Sequence, residues 1–199
     1  MLALAIGLAG PASASERVYA VAAGESAFTL HVGKGGLFGF AGHEHEVTAP
    51  VAQGRIVADA EALERSSVTL GIETAALSVT GKGEPAEDVP KVQAAMAGPK
   101  VLDVARFPLV GFSSRRVAGH AIGGGVYEVE VTGDLALRDV TRSLTLKLRV
   151  QVVGDTLTAS GATTLRQSQF GIRPLSVAGV VKVKDELAIG FHIVAHAMR

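Results

Sequence analysis

The sequence contains no cysteine and no tryptophan. The first absence excludes disulfides, thiolate metal centres, a cysteine nucleophile and a lipidated N-terminal cysteine. It leaves the compartment open, because oxidising compartments permit disulfides without requiring them. Aromatic residues make up only 5% of the chain, so large rings fill little of any interior. An excess of one charge is also missing. Nineteen Lys and Arg balance nineteen Asp and Glu, so no global field draws the protein to nucleic acid or to an anionic membrane. There is no GxxxxGKS or GxxxxGKT loop, no GxGxxG turn entering a helix and no GxSxG elbow, and Ser, His and acidic residues follow no familiar catalytic order. What is present is ample apolar material. Hydrophobic residues reach 48% against 19% charged ones, which argues against disorder. A length of 199 residues suits one domain with or without a targeting segment.

The strongest pattern lies between Tyr127 and Val153. Tyr127, Val129, Val131, Leu135 and Leu137 occupy odd positions, and Glu128, Glu130, Thr132 and Asp134 lie between them. Beyond a polar break at Arg138–Ser143, Leu144, Leu146, Leu148, Val150 and Val152 occupy even positions, separated by Thr145, Lys147, Arg149 and Gln151. Alternation with period two predicts two half-buried antiparallel strands. If one face buries both apolar sets, paired residues must combine one odd and one even number, and a one-residue slip would put every leucine in water. The outer face then sets Glu130 and Asp134 near Lys147 and Arg149.

Elsewhere the chain reads as short strands and bends. Val18 to Val32 alternates loosely, with Phe28, Leu30 and Val32 on one face. Gly33 to Val47 reads as a glycine-rich corner carrying Phe38 and Phe40. Gly54 to Ala60 and Ser66 to Glu73 read as strands, the second pointing Val68, Leu70 and Ile72 inward. Val89 to Ala97 has the one fair helical composition and ends at Gly98-Pro99. Leu109 to Val117 is a strand with Val110, Phe112 and Ser114 inward, followed by a loop at Gly119–Gly125. Asp155 to Leu165 presents Leu157, Ala159, Gly161, Thr163 and Leu165, and small groups on a barrel wall leave room inside. Val180 to Ala195 closes the sheet with a bend near Asp185, with Leu187, Ile189, Phe191, Ile193 and Ala195 on one face. The fold class predicted is all-β, an antiparallel barrel of about eight strands with one short helix.

TGDLALRDVTRSLTL at Thr132–Leu146, preceded by VLDVARFP and followed by QFGI and VKVKDELAI, resembles the YceI-like family. The motifs occur in that family's order, over about Val18 to Ala197. The resemblance implies a lipocalin-like barrel holding a polyisoprenoid or similar apolar lipid, without catalysis. It turns the inward face into a tail site formed by Phe38, Phe40, Val68, Leu70, Ile72, Phe112, Val131, Leu135, Leu146, Leu148, Phe170, Ile172, Ile189 and Phe191. His43, His45, Arg138 and Arg142 stand as head-group residues, the arginines suited to a phosphate. No cofactor or metal ligand is assigned, and the expected partner is the lipid alone, with no nucleic acid and no stable membrane insertion.

Two alternatives remain open. His43 and His45, if extended, lie about 6.6 Å apart on one face and could begin a metal-dependent enzyme site, yet two histidines do not complete one. His31, His120 and Glu46 are candidates for a third ligand, and nothing in the sequence brings them together. The other alternative is a structural or stress-related interaction protein whose barrel is filled by its own side chains. His192 and His196 would be about 13 Å apart on one strand and read as solvent-facing.

Met1 to Ala14 reads as a signal peptide and 15–199 as the barrel domain. Leu2 to Gly10 is apolar, Pro11 breaks the run, and Ala12-Ser13-Ala14 has the small-x-small form of a cleavage site. The run is too short to span a bilayer as a helix. It lacks a basic n-region, which leaves room for a start upstream of Met1. The expected location is periplasmic or secreted. N-terminal sequencing of protein from its native host is expected to read from at or near Ser15; an intact Met1 in a cytoplasmic fraction would contradict export.

Overall fold

The structure, a computed structural model, describes residues 16–35, 44–51, 53–177 and 181–199. Twelve strands and one helix are assigned among these residues: β1 (Glu16–Val21), β2 (Ala27–Gly35), β3 (His45–Pro50), β4 (Gln53–Asp59), β5 (Ser67–Glu73), β6 (Ser78–Val79), α1 (Val89–Ala97), β7 (Leu109–Gly123), β8 (Val126–Leu137), β9 (Val140–Val153), β10 (Thr156–Arg166), β11 (Ser176–Val177) and β12 (Val181–Ala197). Eight of them form a closed antiparallel ring in the order β1-β4-β5-β7-β8-β9-β10-β12, with β12 returning to β1. Strands β2, β3 and β6 branch from β12 as a side sheet. Closure removes the free edges that an open sheet would expose.

The β8–β9 hairpin has the register that alternation demands. Val129 faces Leu148, Val131 faces Leu146, and odd meets even along the whole ladder. The turn is tighter than the polar break suggested. Only Arg138 and Asp139 lie between the strands, because Thr141 and Ser143 continue the outward face and Arg142 the inward one. Arg138 has φ of +57°, as the favoured two-residue hairpin turns require of their first residue. On the outer face Glu130 stands opposite Lys147 as expected. Arg149, however, faces Glu128, and Asp134 faces Ser143 while accepting from Arg115 Nε at 2.6 Å.

Strand β7 departs from expectation in two ways. It continues through 119–123, where a loop was expected, and turns only at Gly124-Gly125. Gly123, Gly124 and Gly125 all have positive φ, so the glycine cluster makes a hairpin turn rather than a long loop. The register also shifts between Ser114 and Arg116. This bulge moves the inward phase from Val110 and Phe112 to Val117, and the Ser114 hydroxyl accepts the Val68 backbone N–H at 2.9 Å. Sequence alternation cannot see such an insertion, because one extra residue resets the parity.

Val18 to Val32 holds two strands that share one edge of β12. Strand β1 pairs with Ala195–Ala197, and β2 pairs lower down, starting at His192. At the junction the Ala22 N–H donates to the Val194 carbonyl at 2.8 Å. The Ser26 hydroxyl, 3% exposed, donates to that same carbonyl at 3.1 Å and accepts the Val194 N–H at 2.9 Å. Side-chain groups therefore replace a missing rung of the ladder. Ser26→Ala leaves the Val194 N–H without its acceptor and is expected to cost about 1–3 kcal/mol in denaturant unfolding; a loss below about 0.5 kcal/mol would contradict this role.

Candidate functional site

The candidate site is the barrel interior. Inward residues of β9 are half-buried while outward ones such as Thr145, Lys147, Arg149 and Gln151 are exposed. In a packed core the inward set would be fully buried. Their residual exposure is to a cavity of about 470 Å³ that runs through the ring, within the size range of small-molecule sites. Its wall is almost wholly aliphatic and aromatic. The outward residues of β8 from Glu128 to Asp134, like those of β9, are polar or charged.

Twelve of the proposed tail residues line this cavity: Val68, Leu70, Ile72, Phe112, Val131, Leu135, Leu146, Leu148, Phe170, Ile172, Ile189 and Phe191. Phe38 and Phe40 lie outside the described residues. Tyr19, Phe28, Leu30, Val47 and Ala49 also line the cavity but were not singled out. Phe28 and Leu30 had alternated visibly, whereas β3 was hidden at the end of a glycine-rich stretch. Two glycines let rings lie flat on the wall. A Cβ on Gly161 would meet Phe191 at 2.6 Å, and one on Gly133 would meet Phe112 at 2.6 Å. Phe191 also contacts Phe28, their ring centres 5.7 Å apart.

One end of the cavity is roofed. Helix α1 places Val89, Val92 and Met96 against a cluster of Val47, Ala49, Leu77, Val79 and Leu102. The Gln93 amide accepts the Val79 N–H at 2.9 Å and donates to the Leu77 carbonyl at 2.9 Å, so the helix caps the short β6 edge. Phe170 and Ile172, both buried, come from the turn after β10. That turn is pinned by Asp185, which accepts from the Ser168 hydroxyl at 2.6 Å and the Ser168 N–H at 2.8 Å. At the opposite end, Arg17, Ala60 and Ser67 line the cavity and are exposed. This is the open end.

Of the head-group residues, Arg138, Arg142 and His45 do not line the cavity. Arg138 donates from Nη1 to the Val101 carbonyl at 3.1 Å and stacks over Phe107 at 5.5 Å. Arg142 donates from Nε to the Gln169 carbonyl at 3.0 Å. Both lie at the roofed end and neither lines the cavity. His43 lies outside the described residues. His45 Nδ1 is 2.9 Å from a carboxylate oxygen of Glu84, so it joins β3 to the loop before α1. His31 is 3.8 Å from Glu46, which also meets Lys82 at 3.3 Å, and His120 lies at 4.0 Å from Glu128. Among the described residues, no three His, Asp or Glu side chains converge as a metal site would require. His192 contacts the Ser160 hydroxyl and His196 contacts Glu25, both in exposed positions.

A family model described as "YceI-like domain" matches residues 19–195. Among solved structures, BcnA of Burkholderia cenocepacia is 20% identical, with a TM-score of 0.64 over 87% of this chain and 98% of that one. The YceI protein of Campylobacter jejuni is 12% identical, with a TM-score of 0.53 over 76% of this chain and 84% of that one. No curated protein matches the sequence.

The hydroxyl and backbone N–H of Ser168, in that order, hold the Asp185 carboxyl below its usual range. A depressed folded value means that the contribution to stability is complete above the unfolded value of about 3.9 and is lost as pH falls through the lower folded value. Unfolding midpoints measured from pH 5 to pH 2 should therefore fall more steeply in the wild type than in Asp185→Asn. Parallel profiles would show that Asp185 does not pin the turn.

Proposed function

The chain belongs to the YceI-like family, and on that footing we propose that it sequesters or carries a long-chain isoprenoid or similar apolar lipid in the barrel interior. The observation that carries the reading is the hollow apolar cavity. Its wall residues pack sideways on one another, as Leu146 and Leu148 do beside Val129 and Val131, and still border open volume. A lipid tail would supply those partners and remove apolar surface from water, at about 25 cal/mol per Å² before entropic costs. The family is one of non-catalytic binding barrels for hydrophobic ligands, and the reading involves no covalent step. The same hollow interior favours a carrier over a barrel filled by its own side chains. With the apolar Leu2–Gly10 run and Ala12-Ser13-Ala14, we further propose that the protein acts in the periplasm or outside the cell.

Leu146 tests the reading, because it lines the cavity opposite Val131. In a packed core Leu146→Ala would cost about 2–5 kcal/mol. Facing a hollow, it is expected to fall below that range in lipid-free protein and to weaken isoprenoid binding roughly tenfold. Leu146→Trp should block long chains and spare short ones. Thr145→Ala and Lys147→Ala, on the outer face, should do neither. The measurement is a binding series across isoprenoid lengths with unfolding of each lipid-free variant. If inward and outward variants behave alike towards ligand, the hairpin does not line a lipid site.

A further inference from the structure

The seam between β9 and β10 is laddered over only part of its length. Leu148–Val153 pairs with Thr156–Gly161, and no rung joins Val140–Lys147 to Ala162–Arg166. Strand β9 keeps its β8 partner throughout this stretch, and β10 keeps β12 down to the Arg166–Glu186 pair. The two edges therefore part beyond Gly161. The neighbouring seams β7–β8, β8–β9 and β10–β12 are laddered nearly end to end.

The cavity reaches this gap. Leu144 and Leu146 line it from β9, and Thr163 and Leu165 line it from β10. Arg166 lines it too, although it stands at an outward position of β10, where Thr156, Thr158, Ser160, Ala162 and Thr164 do not. An exposed side chain at an outward position borders the interior where the wall is incomplete. Among the described residues Arg166 makes no hydrogen bond or ion pair, so its aliphatic stem is free to cover apolar surface with its charge in water. At the foot of the gap Arg142 Nε donates to the Gln169 carbonyl at 3.0 Å. Gln169 belongs to the turn that is tied to β12, by Ser168 to Asp185 and by Gln167 Nε2 to the Lys184 carbonyl at 2.8 Å. Arg142 is thus a strap from β9 to the β10–β12 side.

We propose that the gap between β9 and β10 is a side portal through which the apolar ligand enters and leaves, with Arg142 as its strap and Arg166 on its rim. The inference rests on the lipid-carrier reading and assigns the route of exchange. Parting a laddered seam would leave backbone N–H and C=O groups without partners. The lower β9–β10 seam can widen without breaking a rung, so it is the cheapest place in this part of the wall to open. A long chain taken end-on must thread its whole length through the bore, whereas a gap running along the strands admits it sideways.

The cysteine-free chain makes the test clean. Continued beyond Gly161, the β9–β10 register would set Thr145 against Thr164, both outward. A Thr145→Cys, Thr164→Cys variant is joined by a short bifunctional thiosulfonate, which reaches further than a direct disulfide and is cleaved by reductant. The control joins Gln151→Cys to Thr158→Cys, a pair already facing across the laddered half. The measurement is release of a radiolabelled long-chain prenol from loaded protein to phosphatidylcholine vesicles. The link across the gap should slow release about tenfold or more, reductant should restore it, and equilibrium affinity should stay within about twofold. The control link should change the rate by less than about twofold, and Arg142→Ala should speed release several-fold. Unchanged release with the gap linked, or equal slowing by the control, would overturn the portal and leave the carrier reading intact. Wild-type protein that retains no prenol would instead overturn the carrier reading itself.

Discussion

Along one edge of β12 the hydrogen-bond partner changes at Val194. Above it the partner is β1, which closes the ring against β4. Below it the partner is β2, which leads to the side sheet and, through β6, to the helix. A strand edge offers one set of donors and acceptors, so two partners can share it only in succession. At the changeover the edge loses a rung, and a buried unpaired N–H would be costly. The Ser26 hydroxyl and the Ala22 N–H supply what is missing. With that junction satisfied, one long strand serves both the closed upper ring and the roof of the cavity.

Closure also explains how an unfilled interior is tolerated. A packed core stabilises by filling its volume, and this barrel leaves about 470 Å³ open. The ladders make good part of that deficit, because every ring strand is paired on both sides, although β9 meets β10 only over Leu148–Val153 and Thr156–Gly161. The rings are placed to keep the lumen clear. Phe191 and Phe112 lie over glycines of neighbouring strands, so their area is buried against the wall rather than across the bore.

Much of this was legible in sequence where alternation ran unbroken. The Leu144–Val152 series reported its face and the parity of its pairing, because period two is a direct image of the pleat. The helix over Val89–Ala97 was legible from its composition and its end at Gly98-Pro99. Irregular rungs were not legible. The bulge after Ser114 and the junction at Ser26 each insert residues that reset parity while leaving composition unchanged. The missed lining residues Val47 and Ala49 belong to a short strand after a glycine-rich stretch, with too few alternations to stand out.

The two head-group arginines stay off the cavity wall for a different reason. Arg138 and Arg142 flank a turn, and turn residues read from sequence as exposed and available. A two-residue turn is too tight for that. Its φ of +57° at Arg138 is an uncommon backbone state for a residue with a side chain. The arginine is held there by the Val101 carbonyl and the Phe107 ring, which belong to the segment roofing the barrel. Its charge thus helps to attach the roof rather than recognise a ligand. The same substitution of internal for external partners recurs at Arg17 with Asp155, Arg65 with Asp59, and Arg115 with Asp134. A chain with equal numbers of acids and bases can satisfy its cations in this way.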